Sequence, residues 1–434
     1  MIRLALLIFV VVSMSACVAP SGKCVGDANC PPDEHCVDRT CEAGAPVGEG
    51  EGEGEGEGEG EGEGEGEGEG EGEGEGEGAG EGEGEGEGEG EGEGEGEALF
   101  ALPQNFPVGP SPFTLAVGRF NADAFDDLAV ANSDSNDLSI LLGDGTGEFG
   151  GDTVFPAGSR PISVLVGRFN ADAFDDLAVA NINSNDVTIH LGNGTGGFAD
   201  PTAFPVASSP RLAAVGRFNA DAFDDLAVPS QASNVVSVLL GDGTGGFGPM
   251  TTFAVGAGPE FVSVGRFNAD AFDDLAVANA SDGTVGVLLG DGTGAFGPQV
   301  AFTVGSTPFA VAVGRFNADD FDDLAVGSGT VSILVGDGTG GFVAQTPVAV
   351  PAISVVVGRF NADAFFDLAI ADTNVSTVSI LLGDGAAGFA PQTPFSVGEG
   401  PRLVVVGHFN ADTFDDLAVA NRISNNVSVV LNSR

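Results

Sequence analysis

The stretch LAVGRFNADAFDDLAVAN, residues 115–132, decides the fold, because it returns six more times along the chain. Its core string Phe-Asn-Ala-Asp begins at Phe120, Phe169, Phe218, Phe267, Phe316, Phe360 and Phe409, at successive distances of 49, 49, 49, 49, 44 and 49 residues. A fixed period of this size is the mark of a repeat architecture. In the first unit, segments 115–120, 127–131, 138–142 and 154–157 are rich in Val, Leu, Ile and Phe and are separated by Gly, Asn, Asp and Pro. Each reads as a short strand. Gly143-Asp144-Gly145-Thr146-Gly147 suits a hairpin turn between two of them. As a phosphate cradle it lacks the lysine and the following helix. Four strands per unit, seven times over, predict an all-β, seven-bladed β-propeller.

The two ends of the repeat region agree with a closed ring. QNFPVG, residues 104–109, matches a fourth strand and precedes the first full unit. The last unit stops after VSVVL, residues 427–431, which matches a third strand. Pairing the two completes the seventh blade and covers two open sheet edges. The fifth unit is shorter only in its loops, at Gly327-Ser328-Gly329 and Val350-Pro351, so its strands survive.

These repeats resemble the FG-GAP and VCBS-type repeats of integrin-like propellers over about residues 100–434. In that family the loop Asp-x-Asn-x-Asp-Gly-x-x-Asp-Leu binds calcium, and here its first copy reads Arg119-Phe120-Asn121-Ala122-Asp123-Ala124-Phe125-Asp126-Asp127-Leu128. The resemblance makes slots three, five and nine candidate metal ligands. They are Asn121, Asp123 and Asp127; Asn170, Asp172 and Asp176; Asn219, Asp221 and Asp225; Asn268, Asp270 and Asp274; Asn317, Asp319 and Asp323; Asn361, Asp363 and Asp367; and Asn410, Asp412 and Asp416. Slot one departs from the pattern. It holds Arg119, Arg168, Arg217, Arg266, Arg315 and Arg359, then His408 in the seventh unit. Calcium needs six to eight oxygens, and a guanidinium in place of a carboxylate opposes it. Two readings stand: weak calcium binding, or a structural salt bridge in which each arginine clasps the slot-five and slot-nine aspartates without an ion. Slot eight, Asp126 in the first unit, becomes Phe366 in the sixth and reads as dispensable.

Upstream, the chain changes character three times. Residues 1–16 combine Arg3, an apolar run from Leu4 to Val12 and small residues before Cys17, the layout of an export signal. Met14-Ser15-Ala16-Cys17 resembles the bacterial lipobox, with Met14 where leucine is usual, and this implies lipidation at Cys17. Residues 17–47 hold Cys24, Cys30, Cys36 and Cys41, which in an exported chain read as two disulfides of open connectivity. A zinc site with His35 is disfavoured for want of a tight Cys-x-x-Cys pair. Residues 48–98 are a Glu-Gly tract broken by Ala79, with nothing to bury and like charges throughout, hence a solvated spacer. Fully extended it reaches on the order of 160 Å.

The net charge of −51, from 14 Lys+Arg against 65 Asp+Glu, excludes nucleic acid as a partner. The repeat region has no cysteine and no lysine, and its only histidines are His190 and His408, so no nucleophile–base pair stands out. The expectation is an exported monomeric propeller, lipid-anchored at the bacterial outer membrane or cell surface. It binds a protein or glycan there without catalysis; a lectin-like role and an exported hydrolase are the alternatives. The chain has no Trp and no Tyr for sugar stacking. The loops that vary most between units, 133–137, 182–186, 231–234 and 422–426, are the expected contact surface.

Overall fold

The computed structural model describes residues 34–37, 40–43, 99–391 and 394–434. The chain divides into two units, Met1–Gly88 and Glu89–Arg434. In the first, strands Glu34–Val37 and Thr40–Ala43 pair antiparallel with Cys36 opposite Cys41. The signal segment, Cys17, Cys24, Cys30 and the Glu-Gly tract lie outside the described residues.

The second unit is a seven-bladed propeller. Blade one runs outward through Pro112–Gly118, Asp127–Asn132, Asp137–Leu141 and Thr153–Pro156, each strand antiparallel to the next. Blades two to five repeat that order, and in blade six two short segments, Phe389–Pro391 and Phe395–Ser396, share the outer place beside the third strand. Blade seven takes Pro401–Gly407, Asp416–Asn421 and Asn426–Val430 from the C-terminal end, and its outer strand is Gln104–Pro107. The register sets Gln104 against Val429 and Pro107 against Asn426. Ring closure is therefore as the chain ends required. The shortened fifth unit keeps all four strands.

The innermost strands start earlier than the apolar pattern suggested, at Pro112 rather than Leu115, and stop at Gly118 rather than Phe120. The cause is steric. A β-carbon on Gly118 would lie 2.6 Å from the Phe120 ring, so the strand ends where that ring folds back into the core.

The core lies between blades. Leu128 and Val130 pack with Ala418 and Ala420 of blade seven, while Ala129 and Ala131 pack with Val164, Leu177 and Val179 of blade two. Alternation along a strand sends successive side chains to opposite faces. Large residues on one face of DLAVAN thus meet small ones on the neighbouring blade, and all six positions are buried. A phenylalanine trio seals each of six junctions: Phe120 stacks edge-on with Phe198, and Phe198 with Phe155. At the sixth junction, between blades six and seven, Phe100 from the entering segment takes the middle place, against Phe360 and Phe395. The innermost strands surround an axial cavity of about 500 Å³ lined mostly by Val, Leu and Ala.

Because all strands within a blade are antiparallel, one face of the disc carries the Phe-Asn-Ala-Asp loops and the Gly-Asp-Gly turns. The other carries the turns between second and third strands and the crossings to the next blade.

Candidate functional site

The seven Phe-Asn-Ala-Asp loops were the candidate site, and each side chain in them has a defined task. Asn121 Oδ1 accepts from the Asp123 N–H at 2.8 Å, and Asp123 Oδ1 accepts from the Phe125 N–H at 2.9 Å. These local turns shape the loop without a glycine at slot six. The pattern repeats in every unit, for example at Asn268, Asp270 and Phe272, and at Asn410, Asp412 and Phe414.

The slot-nine aspartate is fully buried in all seven blades. Asp127 Oδ2 accepts from the Phe120 N–H at 2.7 Å and Oδ1 from the Gly143 N–H at 2.9 Å. Asp176, Asp225, Asp274, Asp323 and Asp367 bind the matching pairs, and Asp416 binds the N–H groups of Phe409 and Asn432. This carboxylate ties the loop to the hairpin turn beside it. Burial raises its pKa in every blade against the pull of those donors, to about 6 at Asp225.

The slot-one arginine does not bridge Asp123 and Asp127. Its Nε lies on the slot-eight aspartate instead: 3.2 Å from Arg119 to Asp126, with 3.3 to 3.5 Å for Arg168–Asp175, Arg217–Asp224, Arg266–Asp273 and Arg315–Asp322. His408 Nε2 lies 3.4 Å from Asp415. In blade six, where slot eight is Phe366, the Arg359 guanidinium sits 4.8 Å over that ring.

The other slot-eight oxygen crosses to the preceding blade. Asp175 Oδ2 accepts the Arg119 N–H at 2.9 Å, and the same bond recurs at five further junctions, ending with His408 N–H to Asp126. The junction facing Phe366 is the exception. A second link accompanies it: the Gly196 N–H of blade two donates to the Phe120 carbonyl at 2.7 Å. Equivalent donors are Gly147, Gly245, Gly294, Gly340 and Ala387, and at the sixth junction the Asn432 side chain serves instead. The loops are therefore clasps between blades. Slot eight, which looked dispensable, carries half of each clasp. Its partner lies 56 residues away, a relation that spacing within one unit does not display.

Against a calcium ion this donor set is short. Slot one contributes a cation, slot nine is buried with both oxygens bonded to N–H groups, and one amide and one carboxylate per loop are left. Among the described residues no group of three His, Cys, Asp or Glu side chains has the arrangement of a metal site.

His190 is buried, with Nε2 3.2 Å from Thr188 Oγ1, and burial lowers its pKa to about 4. It is neutral at physiological pH and packs as part of the sheet.

Residues 119–179 match the FG-GAP-like repeat, and the other units repeat the same string. The chain is a seven-bladed propeller that carries an FG-GAP-like repeat. Among curated proteins none matches its sequence. Solved structures share the fold at low identity. BBS1N, crystallised in complex with ARL6DN, has a TM-score of 0.57 at 14% identity, covering 77% of this chain and 97% of that one. Virginiamycin B lyase from Staphylococcus aureus gives 0.54 at 12%, covering 76% and 99%. An Agrocybe aegerita lectin that recognises non-reducing terminal N-acetylglucosamine gives 0.51 at 12%, covering 77% and 96%. A protein partner, a lyase reaction and a sugar thus occur on one scaffold, and function has to be argued from this FG-GAP propeller's own side chains.

One ring of residues did not stand out by motif, the position seven residues before the phenylalanine of each Phe-Asn-Ala-Asp string. It is Phe113, Ile162, Arg211, Glu260, Phe309, Ile353 and Arg402. The signal was present: no other slot of the inner strand alternates between large apolar residues and charge.

Proposed function

We propose that this FG-GAP propeller is a non-catalytic binding or scaffold protein, exported and held at a bacterial surface by a lipid on Cys17, with the Glu-Gly tract as its spacer. The observation that carries this reading is the division of labour between faces. The repeated loops are committed to structure, shaping themselves, anchoring to the hairpin turn beside them and clasping the neighbouring blade, whereas the segments that differ between units, 133–137, 182–186, 231–234 and 422–426, gather on the opposite face. A surface that varies while its scaffold repeats is suited to recognising a partner. Absence of catalysis is supported by a histidine held neutral in the core and another spent on an Asp pair. The loops work without calcium in this proposal, closed by their own bonds.

Carbohydrate binding is the second reading. It draws on Phe125, Phe174, Phe272, Phe321 and Phe365, half-exposed rings on the clasp face. A glycan array and an affinity capture from outer-membrane extracts, both with the full chain, separate the readings. Capture that fails when the four variable segments are replaced by the fifth unit's short turn supports the proposal. Sugar binding that survives this replacement contradicts it.

A further inference from the structure

Outside slot one and the C-terminal Arg434, the propeller has four arginines, and all lie on the variable face: Arg160, Arg211, Arg402 and Arg422. Three of them converge near the axis. In four blades the residue after the proline, Phe113, Ile162, Glu260 or Arg402, is the extra residue of a β-bulge, and bulges re-aim the side chain they carry. Here they turn it into the mouth of the axial cavity, where Phe113, Glu260, Phe309, Ile353 and Arg402 meet in one small pocket.

Arg211 and Arg402 stand in equivalent places but are treated differently. Arg211 Nη2 donates to Glu260 Oε1 at 2.7 Å, and its Nε lies 2.6 Å from Oε2 without the angle of a second bond. Gln231 also donates to Glu260. Oε1 of that buried carboxylate therefore accepts two bonds, while Oε2 faces the Arg211 Nε. Arg402 is half-buried, lies 4.6 Å over the Phe113 ring, and makes no hydrogen bond or ion pair with any described residue. Arg422 approaches the same ring at 6.0 Å, with only its Nε engaged, on Ser111 Oγ at 3.0 Å. Burial and the charges of Arg211 and Arg422 lower the Arg402 pKa to about 10, against the opposing pull of the Glu260 carboxylate. Two like charges thus share one aromatic face in a chain that is otherwise strongly acidic. A partly desolvated guanidinium fork is matched best by a carboxylate, and the chain shows that solution at Arg211.

We infer that Arg402 and Arg422, seated on Phe113, form a binding site for a carboxylate borne on a short apolar stem. The stem lies against Phe309 and Ile353. This deepens the partner-binding reading and rests on it: the variable face would take hold of an acidic side chain or C-terminal carboxylate, and a free short-chain acid carries the same chemistry.

Calorimetric titration of the full chain with hexanoate, hexanol and hexylammonium tests the site on the native protein. Binding of hexanoate alone is expected. Equal binding of hexanol or of the cation overturns the proposal. Arg402→Met should weaken hexanoate by about tenfold or more, and Arg402→Lys by less. In carboxylate-free buffer Arg402→Met should leave the melting temperature unchanged or higher, because it removes like-charge repulsion. A lowered melt with hexanoate affinity intact assigns Arg402 to structure and sinks the inference. A peptide ending in a free carboxylate, compared with its amide, distinguishes the protein source from the free acid. A captured partner whose binding is indifferent to Arg402→Met would leave the scaffold reading standing and refute this site.

Discussion

The two faces of this propeller are built from the same strands and obey different rules. On the clasp face seven loops are near-copies, and the bonds that shape and anchor them recur from blade to blade. On the other face, equivalent positions hold Phe, Ile, Arg or Glu, and Arg402 makes no hydrogen bond or ion pair with any described residue. Repetition on the first face follows from geometry: every junction between blades presents the same problem, so the same residues solve it. Departure from repetition on the second is where recognition is to be sought. Sequence identity among repeats thus marks structure, and disagreement among them marks function.

That contrast can be broken in several ways. The largest effect is expected from removing residues 99–107. Blade seven then loses its outer strand, and the sixth junction loses Phe100. With native stabilities of only about 5–15 kcal/mol, no cooperative melt should remain by circular dichroism; a normal melt would mean that the ring does not depend on its closure. Next, Phe218→Ala at a blade junction should cost about 3–5 kcal/mol in denaturant unfolding, since this ring is buried against Phe296. Third, Asp225→Asn should cost about 1–3 kcal/mol, because an amide turns a donor toward one of two N–H groups. The exposed Asp221→Asn should cost less than about 0.5 kcal/mol. Equal costs would argue that slot nine is no anchor.

The buried aspartates also set a pH dependence. Their folded pKa values lie above the unfolded value near 3.8, reaching about 6 at Asp225. Such a group contributes stability that is fully present below its unfolded pKa and is lost as pH rises through its folded pKa. Melting temperature should therefore rise as pH falls from about 7 toward 4, the reverse of ordinary acid denaturation. Below that, the exposed turn aspartates Asp144, Asp242, Asp291 and Asp337, whose pKa values are lowered by bonds to the neighbouring threonines, give stability back. A melt that falls steadily from pH 7 would contradict the buried-anchor account. The smallest effect is a gain: Phe366→Asp restores the missing clasp opposite the Arg315 N–H and should add no more than about 1 kcal/mol, measured by chemical unfolding.

Most of the architecture was legible in the sequence because a repeat exposes it seven times. Strand number, blade number and closure between residues 104–107 and 426–429 follow from alternation and from the unmatched ends. The loop chemistry was half legible. Asn121, Asp123 and Asp127 stood out by spacing, but the bond from the Arg119 N–H goes to Asp175 of the next blade and Asp126 reaches back to His408 of blade seven, which spacing within one unit cannot reveal. Phe366 looked like evidence that slot eight is idle. In the fold its ring takes the aspartate's place against Arg359, and the junction with blade five goes without the bond from the Arg315 N–H.

The claim on which the rest depends is that the seven loops hold the propeller shut without an ion. The most direct measurement is the melting temperature of the full chain, freed of metal by chelation, across a calcium titration to millimolar concentration, with calorimetry in parallel. The account predicts an unchanged melt and no heat of binding. A melt that climbs with calcium, accompanied by saturable heat, would show that the loops are metal sites after all.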